Sequence, residues 1–248
     1  MKIMITGASS GIGRDMARYL NKLGHKLILV DIDIEGINKL KGQLNVIKTI
    51  KCDLSYPKNC INLYEEVKDE NIDMLINNAG FGDIGLFEKT NLDKDLSMIN
   101  TNIVAMHILT KLFLKDFKLK NSGYILNVSS IAAFQPGPLM ATYYATKSYI
   151  FNMTMAITEE LRQEKSKVYI GVLCPGPTKT NFMDKAQCKF KIKHAESSYV
   201  AKYAVDNMLK RRKIIIPTLL MKTSHIFSKI LPISLLLLIY YNIQEPKK

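Results

Sequence analysis

The sequence predicts a single α/β domain in which helices cover both faces of a parallel sheet. Short apolar runs alternate with amphipathic stretches along most of the chain, as expected when each strand is followed by a crossover helix. The runs do not alternate strictly between apolar and polar residues, which indicates strands buried on both faces. A chain of 248 residues is long enough for one substantial core, and neither a repeat nor a linker marks a second unit.

The strands are assigned from compact apolar runs such as Ile3-Met4-Ile5. Strands are predicted in this way at 2–6, 26–31, 46–51, 72–77, 123–128, 167–173 and 213–216. The amphipathic stretches are predicted to be helices, at 12–24, 34–44, 57–70, 92–117 and 141–164. The polar segment from 175 to about 198 is irregular, and we expect it to cross the carboxyl edge of the sheet, where ligands bind in this architecture.

The composition indicates a folded globular protein without a nucleic-acid interface. Apolar residues make up 47% and charged residues 23% of the chain, values typical of soluble domains. The net charge of +13 comes mostly from lysines spread along the sequence, whereas a nucleic-acid-binding surface gathers them on one element. One tight basic cluster occurs, at Lys210-Arg211-Arg212-Lys213.

The cysteines and histidines argue against a metal centre and for a reducing compartment. Cys52, Cys60, Cys174 and Cys188 have no metal-type or redox-type spacing, and no two of the four histidines lie at ligand spacing. The chain starts directly with an apolar strand rather than with a signal peptide. We therefore expect a cytoplasmic protein without a bound metal.

A glycine-rich turn, Thr6-Gly-Ala-Ser-Ser-Gly-Ile-Gly13, links the first predicted strand to the first helix. Such glycines permit tight turning, close approach of the backbone to a pyrophosphate, and close packing of helix on strand. The helix N-terminus then offers free N–H groups to phosphates. The spacing differs from the ordinary dinucleotide fingerprint, but the strand before and the helix after satisfy its context. The candidate contacts are Gly7, Ser9, Ser10, Gly11, Ile12 and Gly13.

Asp31 ends the second predicted strand, about 20 positions after the turn, where a dinucleotide site carries an acidic residue. Its carboxylate can accept hydrogen bonds from both hydroxyls of an adenosine ribose and would repel a 2′-phosphate. No Arg or Lys follows it, since the next residues are Ile32 and Asp33. Asp31 therefore favours NAD, while Arg14 and nearby lysines leave NADP open.

The next two strand ends carry further candidate contacts to a cofactor. Asp53, with Leu54 beside it, follows the third strand and is placed to bond an adenine amino group. Asn78, Ala79 and Gly80 follow the fourth strand. Asn78 can tie neighbouring strands together, and Gly80 lets the backbone approach the cofactor.

Tyr143 and Lys147 lie four residues apart on a predicted helix and so share one face. An ammonium beside a phenol favours the phenolate and lowers the pKa of the phenol from about 10, which suits the group to proton transfer. Ser130 ends the preceding strand and can donate a hydrogen bond to a substrate carbonyl. Asn102 falls inside the helix predicted at 92–117, where by itself it is interpreted as a solvated helix residue.

Together these residues resemble the classical short-chain dehydrogenase/reductase family. The matching motifs are Thr6–Gly13, Asn77–Gly80, Asn102, Ser130, Tyr143-x-x-x-Lys147 and Pro175-Gly-Pro-Thr-Lys-Thr180, in the family's order over about the first 180 residues. The resemblance implies a Rossmann-type doubly wound sheet of about seven strands with a bound nicotinamide cofactor. It also implies an oxidoreductase that interconverts a secondary alcohol and a ketone.

The resemblance assigns the catalytic roles to a tetrad. Tyr143 is the general acid or base, Lys147 assists it and bonds the nicotinamide ribose, and Ser130 orients the substrate oxygen. Asn102 holds a water that links Lys147 to solvent. The implied contacts to the carboxamide side of the nicotinamide are Pro175, Gly176, Thr178 and Thr180, with Thr180 as the side-chain contact.

The end of the chain departs from this pattern. We assign 1–217 to the catalytic domain and 218–248 to an apolar tail, whose run at 230–241 is too short to span a bilayer. Three interpretations stay open: a helix packed on the domain or on another subunit, a wall or lid over the pocket of a lipid-like substrate, and a helix lying on an anionic membrane with help from the cluster at 210–213.

The resemblance also implies a homodimer or homotetramer, paired through the helices at 92–117 and 141–164, that acts on a small-molecule alcohol or ketone. The main alternative to an enzyme is a regulatory protein that senses a nicotinamide nucleotide on the same fold. The intact set of Ser130, Tyr143 and Lys147 argues against a sensor, which has no need of these groups. A membrane-peripheral scaffold would leave the glycine-rich turn unexplained.

Overall fold

A seven-stranded parallel sheet forms the centre of the computed structural model, which describes residues 1–180 and 194–244. The strands are β1 (Lys2–Thr6), β2 (Lys26–Asp31), β3 (Val46–Lys51), β4 (Met74–Asn77), β5 (Tyr124–Val128), β6 (Tyr169–Leu173), β7 (Thr178–Lys179), β8 (Ala195–Glu196) and β9 (Ile214–Ile215). Their order in the sheet is β3-β2-β1-β4-β5-β6-β9, while β7 and β8 pair only with each other. The predicted doubly wound α/β fold is therefore confirmed.

Helices cover both faces of the sheet. They are α1 (Gly11–Lys22), α2 (Ile34–Lys41), α3 (Pro57–Val67), α4 (Leu92–Ile99), α5 (Met106–Leu119), α6 (Ala141–Gln163), α7 (Ser197–Leu209), α8 (Leu219–Ile230) and α9 (Ile233–Gln244). Successive strand residues point to opposite faces. Ile3 and Ile5 accordingly pack in one core with α1, α2 and α7, and Met4 packs in the other with α3, α5 and α6.

The helix predicted at 92–117 is interrupted. Between α4 and α5 the chain forms a π-helical segment, Asn100–Ala105, a rare conformation that is frequent at functional sites. The helix predicted at 57–70 likewise ends at Val67 and continues as a 3₁₀ turn, Lys68–Glu70. Local periodicity did not reveal either change, because each spans only three to six residues, less than the two turns over which a helical period is recognised.

The sequence patterns above missed α7. Its buried residues are Val200, Ala201, Ala204, Val205 and Met208, which recur at helical spacing and pack into the same core as α1. The predicted excursion ends at about 198, and no element is predicted between there and the strand at 213–216. Most of that predicted excursion, residues 181–193 with Cys188, lies outside the described residues.

The apolar tail forms two helices rather than one. Pro232 lies between α8 and α9, and proline cannot continue a helix because it lacks an N–H and clashes with the preceding turn. Met221 of α8 and Leu236 of α9 are buried against the domain. None of the helices in the described residues is both long and apolar enough to cross a membrane.

Candidate active site

A cavity of about 630 Å³ opens at the carboxyl edge of the sheet, where the strand order reverses beside β1 and β4. Such a reversal leaves a crevice, because the crossover helices on either side lie on opposite faces. Residues after β1 to β5 line the cavity, together with part of α6. Of the predicted site residues, only Gly13 and Asn102 lie outside its lining.

The glycine-rich turn leaves room for a phosphate group. Gly7 and Gly11 have φ of +64° and +54°, a region that residues with a side chain rarely adopt. A Cβ at Gly13 would lie 2.2 Å from the carbonyl oxygen of Gly7, so α1 approaches β1 as closely as only glycine allows. Ser10 precedes α1, and its side chain makes no hydrogen bond to the N–H groups of the first turn. This first turn of α1 contains no acidic residue.

Two carboxylates, Asp31 and Asp53, are fixed in the cavity lining. Asp31 accepts hydrogen bonds from the backbone N–H groups of Ser9, at 2.8 Å, and Asp33, at 3.0 Å. Asp53 accepts from the backbone N–H of Ser55 at 2.9 Å and from its hydroxyl at 2.7 Å. These bonds hold both carboxylates in place before any ligand arrives.

Asn78 joins the ends of β1 and β4, as predicted. Its Nδ2 donates to the carbonyl oxygens of Thr6, at 3.1 Å, and Gly7, at 2.9 Å. The Thr6 hydroxyl in turn accepts from the backbone N–H of Asn78 at 3.0 Å. The turn that would hold a phosphate is therefore fixed to the next strand of the sheet.

Asn102 is fully buried, so its interpretation as a solvated helix residue is wrong. Its Oδ1 accepts from the backbone N–H of Phe81 at 3.1 Å, and its Nδ2 donates to the Phe81 carbonyl at 2.9 Å and to Thr146 Oγ1 at 3.1 Å. A Cβ at Gly80 would lie 2.9 Å from Asn102 Oδ1 and 3.3 Å from Lys147 Nζ. The amide and the ammonium thus face each other across Gly80.

Tyr143 and Lys147 lie on the buried face of α6. Lys147 Nζ donates to the carbonyl oxygen of Val128 at 3.1 Å and lies 5.7 Å from the centre of the Tyr143 ring. Burial lowers the pKa of Lys147 from 10.5 to about 8, because its charged form loses the solvation of water. The Thr146 hydroxyl, between them in sequence, donates to the Tyr143 carbonyl at 2.7 Å.

Ser130 lies two residues after β5, directly before a short 3₁₀ helix, and lines the same cavity as Tyr143. Its hydroxyl accepts from the backbone N–H of Ala132 at 3.1 Å and makes a long contact of 3.4 Å to the Pro175 carbonyl. The neighbouring Ser129 hydroxyl donates to the Lys147 carbonyl at 2.7 Å. The first contact orients Ser130, and the second is weak enough to be exchanged for a ligand.

The segment after β6 closes the other side of the cavity. The Pro175 carbonyl accepts from the backbone N–H of Ile131 at 3.0 Å, and the Thr178 hydroxyl donates to the Gly176 carbonyl at 2.8 Å. A Cβ at Gly11 would lie 2.9 Å from the methyl carbon of Thr180. The segment therefore reaches back over the glycine-rich turn.

A family model for the short chain dehydrogenases matches residues 1–189 of this sequence. The chain belongs to this family. It is 34% identical over 184 residues to a 3-oxoacyl-[acyl-carrier-protein] reductase of Rickettsia prowazekii, a match that covers 73% of this chain and 74% of the relative.

Solved structures of family members superpose on the same fold. A short-chain dehydrogenase from Sphingobium yanoikuyae in complex with NADPH has a TM-score of 0.82 at 26% identity, over 88% of each chain. A 3-ketoacyl-(acyl-carrier-protein) reductase from Brucella melitensis complexed with NADH has a TM-score of 0.74 at 25% identity, over 84% of this chain and 90% of that one. As a short-chain dehydrogenase, the protein is an oxidoreductase that uses a nicotinamide cofactor.

The observed residues fit such a cofactor. The glycine positions form a cradle that side chains would fill, the first turn of α1 is open to an anion, and Asp31 and Asp53 line the same cavity. Among residues 1–180 and 194–244, no group of three or more His, Cys, Asp or Glu side chains is arranged to hold a metal ion.

The far wall of the cavity corresponds to one of the three interpretations of the apolar tail, that of a pocket wall, although the sequence pattern named no residue in it. Met140 and Tyr144 line it beside Tyr143, and Tyr240, Ile243 and Gln244 line it from α9. A signal was present at the C-terminus, since Leu236, Tyr240 and Gln244 recur every four residues, but only the fold shows that this stripe meets the cavity.

Proposed function

We propose that the protein interconverts a secondary alcohol and a ketone by hydride transfer, with Tyr143 as general acid or base. The observation that carries this proposal is the convergence of Ser130, Tyr143 and Lys147 on the cavity that also contains the glycine-rich turn. These side chains come from two different elements, β5 and α6. A binding protein that only senses a nucleotide has no use for this set.

Each residue contributes a step that its position permits. The glycine-rich turn would hold a nicotinamide cofactor, which would supply the hydride in reduction and accept it in oxidation. The Ser130 hydroxyl exchanges its long contact with Pro175 for the substrate oxygen and holds that oxygen near Tyr143. Tyr143 gives its proton to this oxygen during reduction and takes it back during oxidation. The Lys147 ammonium stabilises negative charge on the Tyr143 oxygen.

Asn102 and Lys147 form the proposed exit path for the proton. They face each other across Gly80, and a water between the amide oxygen and the ammonium can pass a proton outward. The π-helical segment supports this role, because it turns the Asn102 amide toward the site rather than toward solvent.

We propose NAD as the preferred cofactor. The support is Asp31, a carboxylate held by two backbone N–H groups at the ribose end of the cavity, where a 2′-phosphate would meet like charge. The similar structures bind NADPH in one case and NADH in the other, so the local charge is the stronger argument.

We propose a substrate with an apolar chain. The part of the cavity beyond Tyr143 is lined by Ile131, Met140, Tyr144, Tyr240 and Ile243, and α9 acts as its wall. The Rickettsia relative is named as a reductase of 3-oxoacyl groups, which supports a keto group on an apolar chain as the class to screen.

Replacing Tyr143 with Phe tests the proposed chemistry. We expect Tyr143→Phe to bind NADH as the unmutated protein does and to lose at least 100-fold in kcat, in line with the roughly 10²–10⁴-fold contribution of acid–base catalysis. The measurement is NADH and NADPH absorbance during a screen of ketones and secondary alcohols. Tyr149→Phe is the matched control, because Tyr149 lies on the exposed face of α6 and bonds His107. Unchanged turnover by Tyr143→Phe would overturn the role of Tyr143 as acid or base. Cofactor binding with no turnover of any substrate by the unmutated protein would favour the nucleotide sensor.

A further inference from the structure

One polar side chain stands in the otherwise apolar far wall of the cavity. Gln244, the last residue of α9, is 4% exposed and lines the cavity with Tyr240 and Ile243. Its Nε2 donates a hydrogen bond to the hydroxyl of Tyr144. Its Oε1 is buried and has no hydrogen-bond partner in the described parts of the chain.

An unsatisfied buried acceptor is costly, because it gives up water without gaining a protein donor. A purely structural residue at this place could be a leucine, since Leu236 is the other buried residue of α9. The amide is therefore expected to meet a partner that the protein itself does not supply. Since the carbonyl end of an amide only accepts, that partner is a donor.

Tyr144, whose hydroxyl accepts the hydrogen bond from Gln244 Nε2, is held rigidly. The Tyr144 ring packs edge-on against Tyr143, with ring centres 6.1 Å apart, and against Tyr240, with centres 6.4 Å apart. A Cβ at Gly137 would lie 2.4 Å from this ring, so glycine there lets the ring sit close to the backbone. Gln244 is thus placed one aromatic ring beyond Tyr143, the proposed acid or base.

We propose that Gln244, anchored by Tyr144, forms a polar subsite that selects substrates with a hydroxyl or amide N–H on an otherwise apolar chain. The donor hydrogen-bonds Gln244 Oε1 while the keto carbon lies at Tyr143 and Ser130. This proposal rests on the proposed function for the reacting carbon and adds the position and polarity of a second recognised group. The donor and the keto carbon must be separated by about the width of the Tyr144 ring.

Pairs of ketones matched in chain length test the subsite. One member of each pair ends in a methyl group and the other in a hydroxyl, and the series varies the length between the keto carbon and that end. At one length we expect the unmutated protein to favour the hydroxylated member about tenfold in kcat/KM, since satisfying a buried polar group is worth about that factor. We expect Gln244→Met, which keeps the length of the side chain without its amide, to favour the methyl member instead.

Asn242→Leu is the matched control. Asn242 is an exposed amide on the same helix, and its Nδ2 donates to the Leu238 carbonyl at 2.9 Å. Asn242→Leu should keep the preference of the unmutated protein for the hydroxylated ketone. A merely structural role for Gln244 would lower the rates of both members of a pair equally, so only a changed ratio supports the subsite.

Binding separates this proposal from the proposed function. The same pairs are titrated against the cofactor-saturated Tyr143→Phe protein, in which no turnover is needed for a readout. Stronger binding of the hydroxylated member, lost in Tyr143→Phe/Gln244→Met, supports the subsite even if no ketone is turned over. Equal binding of both members at every length, or a preference that survives Gln244→Met, overturns it.

Discussion

Asn102 shows how burial changes the meaning of a single residue. On its own, an asparagine inside a predicted helix indicates a solvated position, and only the family resemblance gave it a role. In the structure it is fully buried and makes three hydrogen bonds to Phe81 and Thr146. The π-helical segment causes the difference, because its wider turn shifts the face on which the following side chains lie.

The charge at Asp31 predicts the cofactor preference. We expect Asp31→Asn to lower the ratio of kcat/KM for NADH over NADPH about tenfold, because a unit charge a few ångströms from a 2′-phosphate costs about 1–4 kcal/mol. The amide oxygen can keep one of the two hydrogen bonds that Asp31 accepts, which reach different carboxylate oxygens: Oδ2 from Ser9 N–H and Oδ1 from Asp33 N–H. Initial rates with the two cofactors give the ratio.

Asp33→Asn controls for the loss of one negative charge in this region. Asp33 lies two residues away, is exposed, and accepts from the backbone N–H of Gly36 at the start of α2, a capping role that asparagine also fills. Asp33→Asn should keep the ratio of kcat/KM for NADH over NADPH that the unmutated protein has. A preference for NADPH in the unmutated protein would show that Asp31 does not exclude the phosphate.

Among the elements, the C-terminal helices and the basic cluster lie at opposite edges of the sheet. The Arg211 guanidinium lies over the rings of Tyr124 and Tyr169, which begin β5 and β6, whereas α9 lines the cavity at their carboxyl ends. The cluster at 210–213 therefore does not add positive charge to the apolar face of α9. A membrane contact through α9 would depend on apolar burial, and it stays a prediction together with the proposed pairing of subunits.

The turn between β1 and α1 tolerates no side chain at its third glycine. We expect Gly13→Ala to abolish cofactor binding and to lower the free energy of unfolding by about 2 kcal/mol or more, since its Cβ would overlap the Gly7 carbonyl and lie 2.4 Å from Asn78 Nδ2. Urea unfolding and NADH titration measure the two effects.

Gly42→Ala is the control for a glycine-to-alanine change. Gly42 follows α2 and has a φ of −71°. A Cβ added there would have the Lys39 carbonyl oxygen as its nearest neighbour, at 3.8 Å. It should be neutral or stabilising by up to about 1 kcal/mol, because alanine restricts the unfolded chain. If Gly13→Ala and Gly42→Ala had the same effects on NADH binding and on the free energy of unfolding, close packing would not explain the glycine at position 13.

At the scale of the whole molecule, the site is built into the core rather than onto the surface. Lys147 and Cys174 are 4% and 0% exposed and interact electrostatically. Burial also raises the pKa of the Cys174 thiol well above its usual range, so it stays neutral beside the ammonium. The stability of the entire fold is thereby coupled to the charge of one residue.

This coupling predicts a pH dependence of stability. Below about pH 8 Lys147 is charged in both the folded and unfolded states, and folding carries the full cost of burying the charge. Between about pH 8 and 10.5 the unfolded chain holds a proton that the folded protein has lost, so the free energy of unfolding rises with pH, by about 3 kcal/mol from this residue. Urea unfolding of the cofactor-free protein across this range measures the slope.

A comparison with Lys147→Met tests whether Lys147 causes the rise of the free energy of unfolding with pH. Lys147→Met should have a higher free energy of unfolding than the unmutated protein. The difference should be largest at pH 7 and smaller at pH 10.5. Lys118→Met serves as control, because Lys118 is exposed and pairs with Glu164, an interaction worth little in water. Parallel pH profiles for the unmutated protein and Lys147→Met would mean that the buried ammonium is better solvated than its environment indicates.

Much of the fold and of the candidate site could be predicted from the sequence. The strands follow from continuous apolar runs, since a parallel sheet buries both faces of each strand. The site residues follow from their place at strand ends and from their order, which matches the family. The interruption at Asn100–Ala105 and the helix at Ser197–Leu209 were not predicted, because the first is too short to show in a helical period and the second follows an irregular segment.

The sequence by itself determined the parallel α/β architecture, the nucleotide-binding turn and the Tyr143–Lys147 pair, because each depends on residues close together in the chain. The tertiary structure decided what depends on distant residues. It buried Asn102 opposite Lys147, separated the basic cluster from the apolar tail, and brought Gln244 to Tyr144, 100 positions earlier in the chain. Such contacts arise from the packing of helices onto the sheet, and no local period encodes which helix face will meet which cavity.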